Sequence, residues 1–153
     1  MKKLLIALGA AFAAIIAAPA SATTFPTLTT IYVGAGVTDD GGANDTGLAT
    51  VFLCSNVSGA QASVRWLILN VGGSIHDQAT RDIAHGETAI VSTHHTTTFS
   101  GISLGTGAVQ GVINIESTES AVFCTALIVD AADAGEGMPL HLVRVNPHSG
   151  TVE

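Results

Sequence analysis

The densest set of oxygen donors in the chain lies within seven residues: Asp39, Asp40, Asn44 and Asp45, with Gly41 and Gly42 between them. Calcium takes about six to eight oxygens at roughly 2.3–2.6 Å, and paired glycines let backbone carbonyls turn inward. These four side chains are therefore the candidate metal ligands, and Ca2+ is the cofactor they would suit. The alternating aspartates and distal glutamate of an EF-hand are missing. Asp, Asn and Gly are also the residues of an ordinary hairpin loop, so a cation loop and a plain turn both remain open.

Six histidines are the next candidates: His76, His85, His94, His95, His141 and His148. Adjacent residues of a strand point to opposite faces, so His94 and His95 cannot chelate together in a regular strand. A zinc or copper site would need histidines from separate strands. Catalytic patterns are thin. No nucleophile elbow, the sharp strand-to-helix turn that exposes a serine, is expected. Glu116, Glu119 and Asp130 are the carboxylates from which a glycoside-cleaving pair would be drawn, but Glu116 and Glu119 flank a turn, where solvated carboxylates are common. There is no CxxC, no haem-attachment CxxCH and no glycine-rich phosphate loop. The expectation is a protein without a catalytic site.

The elements that would position these residues follow a leader. Lys2 and Lys3 precede an apolar run over 4–18, Pro19 breaks it, and Ala20-Ser21-Ala22 supplies the small residues a signal peptidase reads. A membrane span needs about 20 apolar residues; this run is shorter. Residues 1–22 read as a cleaved bacterial Sec signal, leaving 23–153 as a single domain in the periplasm or outside the cell, with no membrane insertion. Both lysines fall in the leader. The rest has three arginines (Arg65, Arg81, Arg144) against 12 acidic residues. Such a surface excludes nucleic acid, which needs clustered Lys and Arg, and anionic lipid. Only 11% of the chain is charged, against about 25% in an average globular protein. A weakly charged surface repels its own copies poorly, which favours a homo-oligomer or protein partner.

Export sets the redox context. Cys54 and Cys124 are one disulfide in an oxidising compartment, or else two buried thiols. Runs of β-formers recur between Gly, Asn, Asp and Ser, placing strands at 29–37, 48–56, 62–71, 75–83, 88–95, 109–116, 122–130 and 140–146. Phe99 and Leu104 are spaced so that the Thr/Ser/Gly loop over 96–107 folds back on the core. This is the pattern of an antiparallel β-sandwich of about seven or eight strands. Several strands are apolar on both faces. In 62–71, Val64, Trp66 and Ile68 share one face, while Leu67, Leu69 and Val71 share the other. A two-layer sandwich buries one face per sheet. The second face must meet a loop, a terminus or another subunit.

The Cys54–Trp66–Cys124 layout resembles immunoglobulin domains, in which a core tryptophan packs on a disulfide between the two sheets. That resemblance implies an aromatic packed near a disulfide; Val122 stands where the family has its corner tyrosine. The segments Ile31-Tyr32-Val33-Gly34-Ala35-Gly36-Val37, Asp39 to Gly47, Gly111-Val112-Ile113-Asn114-Ile115-Glu116-Ser117-Thr118 and Leu140 to Val152 resemble a group of exported bacterial β-sandwich proteins of unassigned function, over nearly the whole chain after the leader. The strand spacing is similar to the sandwich transducers that pair with sensory rhodopsins, which implies oligomers. The combined expectation is an all-β sandwich, immunoglobulin-like or jelly-roll-like. Cys54, Trp66 and Cys124 are its structural landmarks. It self-associates or binds a partner through its surface, or alternatively binds a small ligand or calcium at Asp39–Asp45.

Overall fold

A computed structural model describes residues 27–133 and 137–145. The expected leader, the end of the expected last strand and His148 lie outside them. The strands are β1 (Thr29–Asp39), β2 (Leu48–Asn56), β3 (Ala62–Asn70), β4 (Ile75–Ile83), β5 (Thr88–Ser92), β6 (Ile102–Ser103), β7 (Val109–Ser117), β8 (Val122–Asp130), β9 (Gly137–Leu140) and β10 (Val143–Arg144). They form two five-stranded sheets. Sheet I has the order β10-β1-β7-β3-β4, and sheet II the order β6-β5-β2-β8-β9. All pairings are antiparallel except β5–β6. The fold is the expected all-β sandwich.

Alternation builds the core. Val64, Trp66 and Ile68 of β3 and Ile113 and Ile115 of β7 face Phe52 of β2, Val91 of β5 and Val122 of β8, all at 0–1% exposure. Each such side chain contributes about 1.5–3 kcal/mol on burial. The opposite face of sheet II carries a second cluster of Ala49, Val51, Val129 and Ala131. The loop after β5 folds over it, and Phe99 packs on it beside Ile90 and Leu127. Two contacts pin that loop: Thr97 N–H donates to the Ala131 carbonyl at 2.9 Å, and the Thr97 hydroxyl to that of Ala132 at 2.9 Å. Gly101 lies so close to β5 that a Cβ would sit 2.2 Å from the Ile90 oxygen. Ile102 and Leu104 pack against the main core, so the loop folds back on the sandwich as the spacing of Phe99 and Leu104 implied.

Three of the differences from the sequence reading have a clear physical reason. β1 runs on to Asp39, because Thr38 and Asp39 continue its ladder with Gln110 and Val109; Asp39 is therefore a strand residue, not a loop residue. β5 stops at Ser92. His94 and His95 leave the ladder, so the opposite-face rule does not govern them. The expected strand over 140–146 is two strands in different sheets. Gly137–Leu140 pairs with β8 and Val143–Arg144 with β1, with half-buried Leu140 and Leu142 packing on the core between the layers.

Cys54 and Cys124 form a disulfide. They are directly opposite in the β2–β8 ladder, 4.2 Å apart at Cα. The bond therefore joins neighbouring strands of sheet II, where the immunoglobulin resemblance implied a bridge between sheets. Trp66 still packs in the same core cluster as both cysteines.

Candidate functional site

The acidic loop is clasped to the segment after β5. Asp39 ends β1 with its side chain at 0% exposure. One carboxylate oxygen accepts from the Gly41 N–H at 2.8 Å; the other meets His94 Nδ1 at 2.7 Å and the Thr106 hydroxyl at 3.3 Å. The other nitrogen of His94, Nε2, lies 3.0 Å from the Thr46 carbonyl. Both ring nitrogens thus face acceptors, and a ring with a proton on each donates to both. A second pair lies alongside: His95 Nδ1 to Asp45 Oδ1 at 2.6 Å, and the Asp45 N–H to the His95 carbonyl at 3.1 Å. Asp45 has φ of 63°, the left-handed region that Asp tolerates better than most residues.

The four expected calcium ligands therefore share one loop but not one point. Asp39 turns inward to His94 and Asp45 turns to His95. Asp40 accepts backbone N–H groups of its own loop, including Gly42 at 3.1 Å. Donation from Leu48 and Gly42 holds its carboxyl below the usual range. Asn44 is exposed. Among the described residues no three His, Cys, Asp or Glu side chains are grouped closely enough to hold a metal ion. The other histidines are scattered. His76 Nε2 meets the Thr106 carbonyl at 2.9 Å, and His85 Nδ1 accepts from the Gly59 N–H at 3.1 Å. His141 lies on the outer face of sheet I.

Nor do the acid–base candidates assemble. Asp39–His94 has the carboxylate–imidazole bond of a general-base pair, yet the nitrogen that would take a proton is covered by Thr46. Glu116 is bound by Arg65 and by Asn114 Nδ2. Asp130, on the other sheet, caps the Ala132 N–H at 2.9 Å. One string escapes the sequence reading: Gly101-Ile102-Ser103-Leu104-Gly105 has the glycine–serine spacing of a nucleophile elbow. It occupies the short strand β6 with no helix after it. Among the described residues Ser103 has no histidine or carboxylate partner, so the context that activates such a serine is missing.

The strongest surface feature is the outer face of sheet I. Val33, Ala35, Leu69, Val112 and Val143 line a groove of about 650 Å³, with Asn114 and His141 beside them. Val33 and Val112 are 37% and 38% exposed. No Asp, Glu, Lys or Arg lines the groove. Asn114 Oδ1 is buried there without a hydrogen bond. Where sheet II has its own loop as a roof, no described segment covers this groove. No known family model matches the chain, and no curated protein or solved structure does.

Proposed function

We propose that the protein is an exported, non-catalytic β-sandwich that works by association, and that a second copy is the partner of the outer face of sheet I. One observation carries this reading: the chain roofs the apolar outer face of sheet II with Phe99, and no described residue roofs that of sheet I. An open apolar groove is the surface by which soluble domains associate. The groove has no fixed charge, so two acidic copies can meet there without like charges facing each other. The Lys2–Lys3 start, the apolar run and the small residues at 20–22 support export to the periplasm or medium, and the disulfide suits an oxidising compartment.

Val112→Glu tests the association. Val112 lies outside the main core, so the variant is expected to fold, with an unchanged circular dichroism spectrum. Light scattering at matched concentration is expected to show oligomers for the parent chain and a loss of mass for the variant. A parent chain that stays monomeric as concentration rises overturns the reading. N-terminal sequencing of the exported protein is expected to begin near Thr23.

A further inference from the structure

The long free edge of sheet I carries a second feature. Among the described residues three of the four sheet margins are short: β6 and β10 have 2 residues each, and β9 has 4, including Pro139. β4 has 9 and, among the described residues, no partner on its far side. Its exposed backbone groups can be identified. Ser63 turns both its N–H and its carbonyl to Thr118, toward β7. Alternation then points Val64, Trp66 and Ile68 toward β4, where they pair with Arg81, Ala79 and Asp77. Gln78 and Thr80 therefore present their N–H and carbonyl groups to the free edge. In agreement, the Gln78 N–H is taken by the carboxylate of its neighbour Asp77, at 2.7 Å.

We infer that this edge pairs antiparallel with β4 of a second copy, about a two-fold axis at Ala79. The sequence Asp77-Gln78-Ala79-Thr80-Arg81 is self-complementary under that operation. Gln78 meets the partner's Thr80 and they exchange two backbone hydrogen bonds, twice over by symmetry. Ala79 meets Ala79, the smallest contact at the closest point. Asp77 meets Arg81 at both ends, in the close non-hydrogen-bonded pairs of the ladder. A register two residues off in either direction sets Asp77 against Ala79 or Ile83 and loses both ion pairs. The Asp77 carboxylate that shields Gln78 in the single chain moves to the partner's Arg81 and frees that N–H for the ladder. Arg81 already bonds Glu87 through one nitrogen at 2.7 Å and has further donors for a second carboxylate. The pairing ends toward His76, where a bulge opposite Ile68 and Leu69 breaks the regular ladder.

This inference shares the premise of homotypic association but uses a different surface, so its test is run in the Val112→Glu background, where the groove contact is removed. Asp77→Arg alone sets arginine against arginine; Arg81→Asp alone sets aspartate against aspartate. Like charges directly opposite destabilise a ladder and opposite ones stabilise it. With two such pairs per dimer, each single variant is expected to weaken dimerisation about tenfold or more. An equimolar mixture of the two singles restores both pairs and is expected to give a one-to-one heterodimer by native mass spectrometry. In a separate chain, Ala79→Cys is expected to give a covalent dimer under air, since Cα atoms in such a pair lie about 4.5 Å apart, within disulfide reach. The inference is overturned if the singles retain the parent's mass, if their mixture shows no heterodimer, or if Ala79→Cys stays monomeric. In each of these cases the charges act as guards that keep the edge unpaired.

Discussion

Asp39→Ala removes the centre of the clasp between the 40–47 loop and the segment after β5, and its cost can be worked from the contacts. The carboxylate is fully buried and accepts from His94 Nδ1, the Gly41 N–H and the Thr106 hydroxyl. Truncation leaves His94 Nδ1 and the Gly41 N–H facing an apolar methyl, while the Thr106 hydroxyl keeps the Gly107 carbonyl at 3.1 Å. Each donor left buried and unmatched costs about 1–3 kcal/mol, so the two cost about 2–6 kcal/mol. A domain of this size is stable by about 5–15 kcal/mol, so the variant should lose a substantial part of its margin. Asp39→Asn keeps the shape and one acceptor but turns an NH2 toward a donor, and should cost less, about 1–3 kcal/mol. Urea unfolding reads both directly. Trp66 is the only tryptophan and is 0% exposed, so its emission reports on the core with no background. His94→Ala and the double variant complete a cycle; the double should cost much less than the sum of the singles. An Asp39→Ala midpoint within about 1 kcal/mol of the parent, or strict additivity in the cycle, refutes the clasp as a stabilising unit.

Two further outcomes follow from the same contacts. Replacing both cysteines, Cys54→Ala with Cys124→Ala, reopens a separation of 70 residues, and the chain-entropy model puts the loss at about 4 kcal/mol. The strand pairing should survive, since nine registered pairs hold β2 to β8; the checks are circular dichroism for the fold and the urea midpoint for the loss. Asp40 titrates below the usual carboxylate range in the folded chain. Its contribution is therefore present above the unfolded value, near pH 4, and is lost as pH falls through the lower folded value. Asp40→Asn should remove that part of the acid sensitivity, read as a flatter dependence of thermal midpoint on pH below about 4.

The fold was legible because strand signals are local. Alternation in 62–71 and the glycine and asparagine punctuation around 48–56 mark elements that need only period two and turn chemistry to read. The clasp was not legible for the opposite reason. Asp39 and His94 are separated by 55 positions and meet only because β1 and β5 end at the same rim of the sandwich. Asp39 looked like a loop residue because Asp40-Gly41-Gly42 is so strong a turn signal that it masked the last two ladder pairs of β1. The disulfide was legible as the chain's one pair of cysteines, but its placement was not. A spacing of 70 residues is compatible with neighbours in one sheet or partners across two, and strand order decides between them. The roof over sheet II was readable from Phe99, whereas the open groove on sheet I could be read only as a demand for some cover on strands apolar on both parities.

The two proposed association surfaces belong to one sheet, and their symmetry axes differ in direction. Antiparallel pairing at the β4 edge uses a two-fold axis normal to sheet I. Two outer faces meeting across the groove use an axis parallel to the sheet. Two different two-fold contacts on one protomer close into a tetramer when the axes intersect and run on as an open ribbon when they do not. The edge axis stands beyond β4, with β4, β3 and β7 between it and β1, the strand of Val33 and Ala35 in the groove. A face axis running across the strands at the level of Ala79 meets the edge axis and closes the assembly at four copies. One running along the strands misses it and propagates. The direction and level of the face axis thus decide between a closed particle and a fibre. The register at Ala79 decides only whether neighbouring sheets join at all. Charge variants at Asp77 and Arg81 should therefore change the number of copies without changing how the faces cross, whereas Val112→Glu should remove the stacking and leave edge dimers.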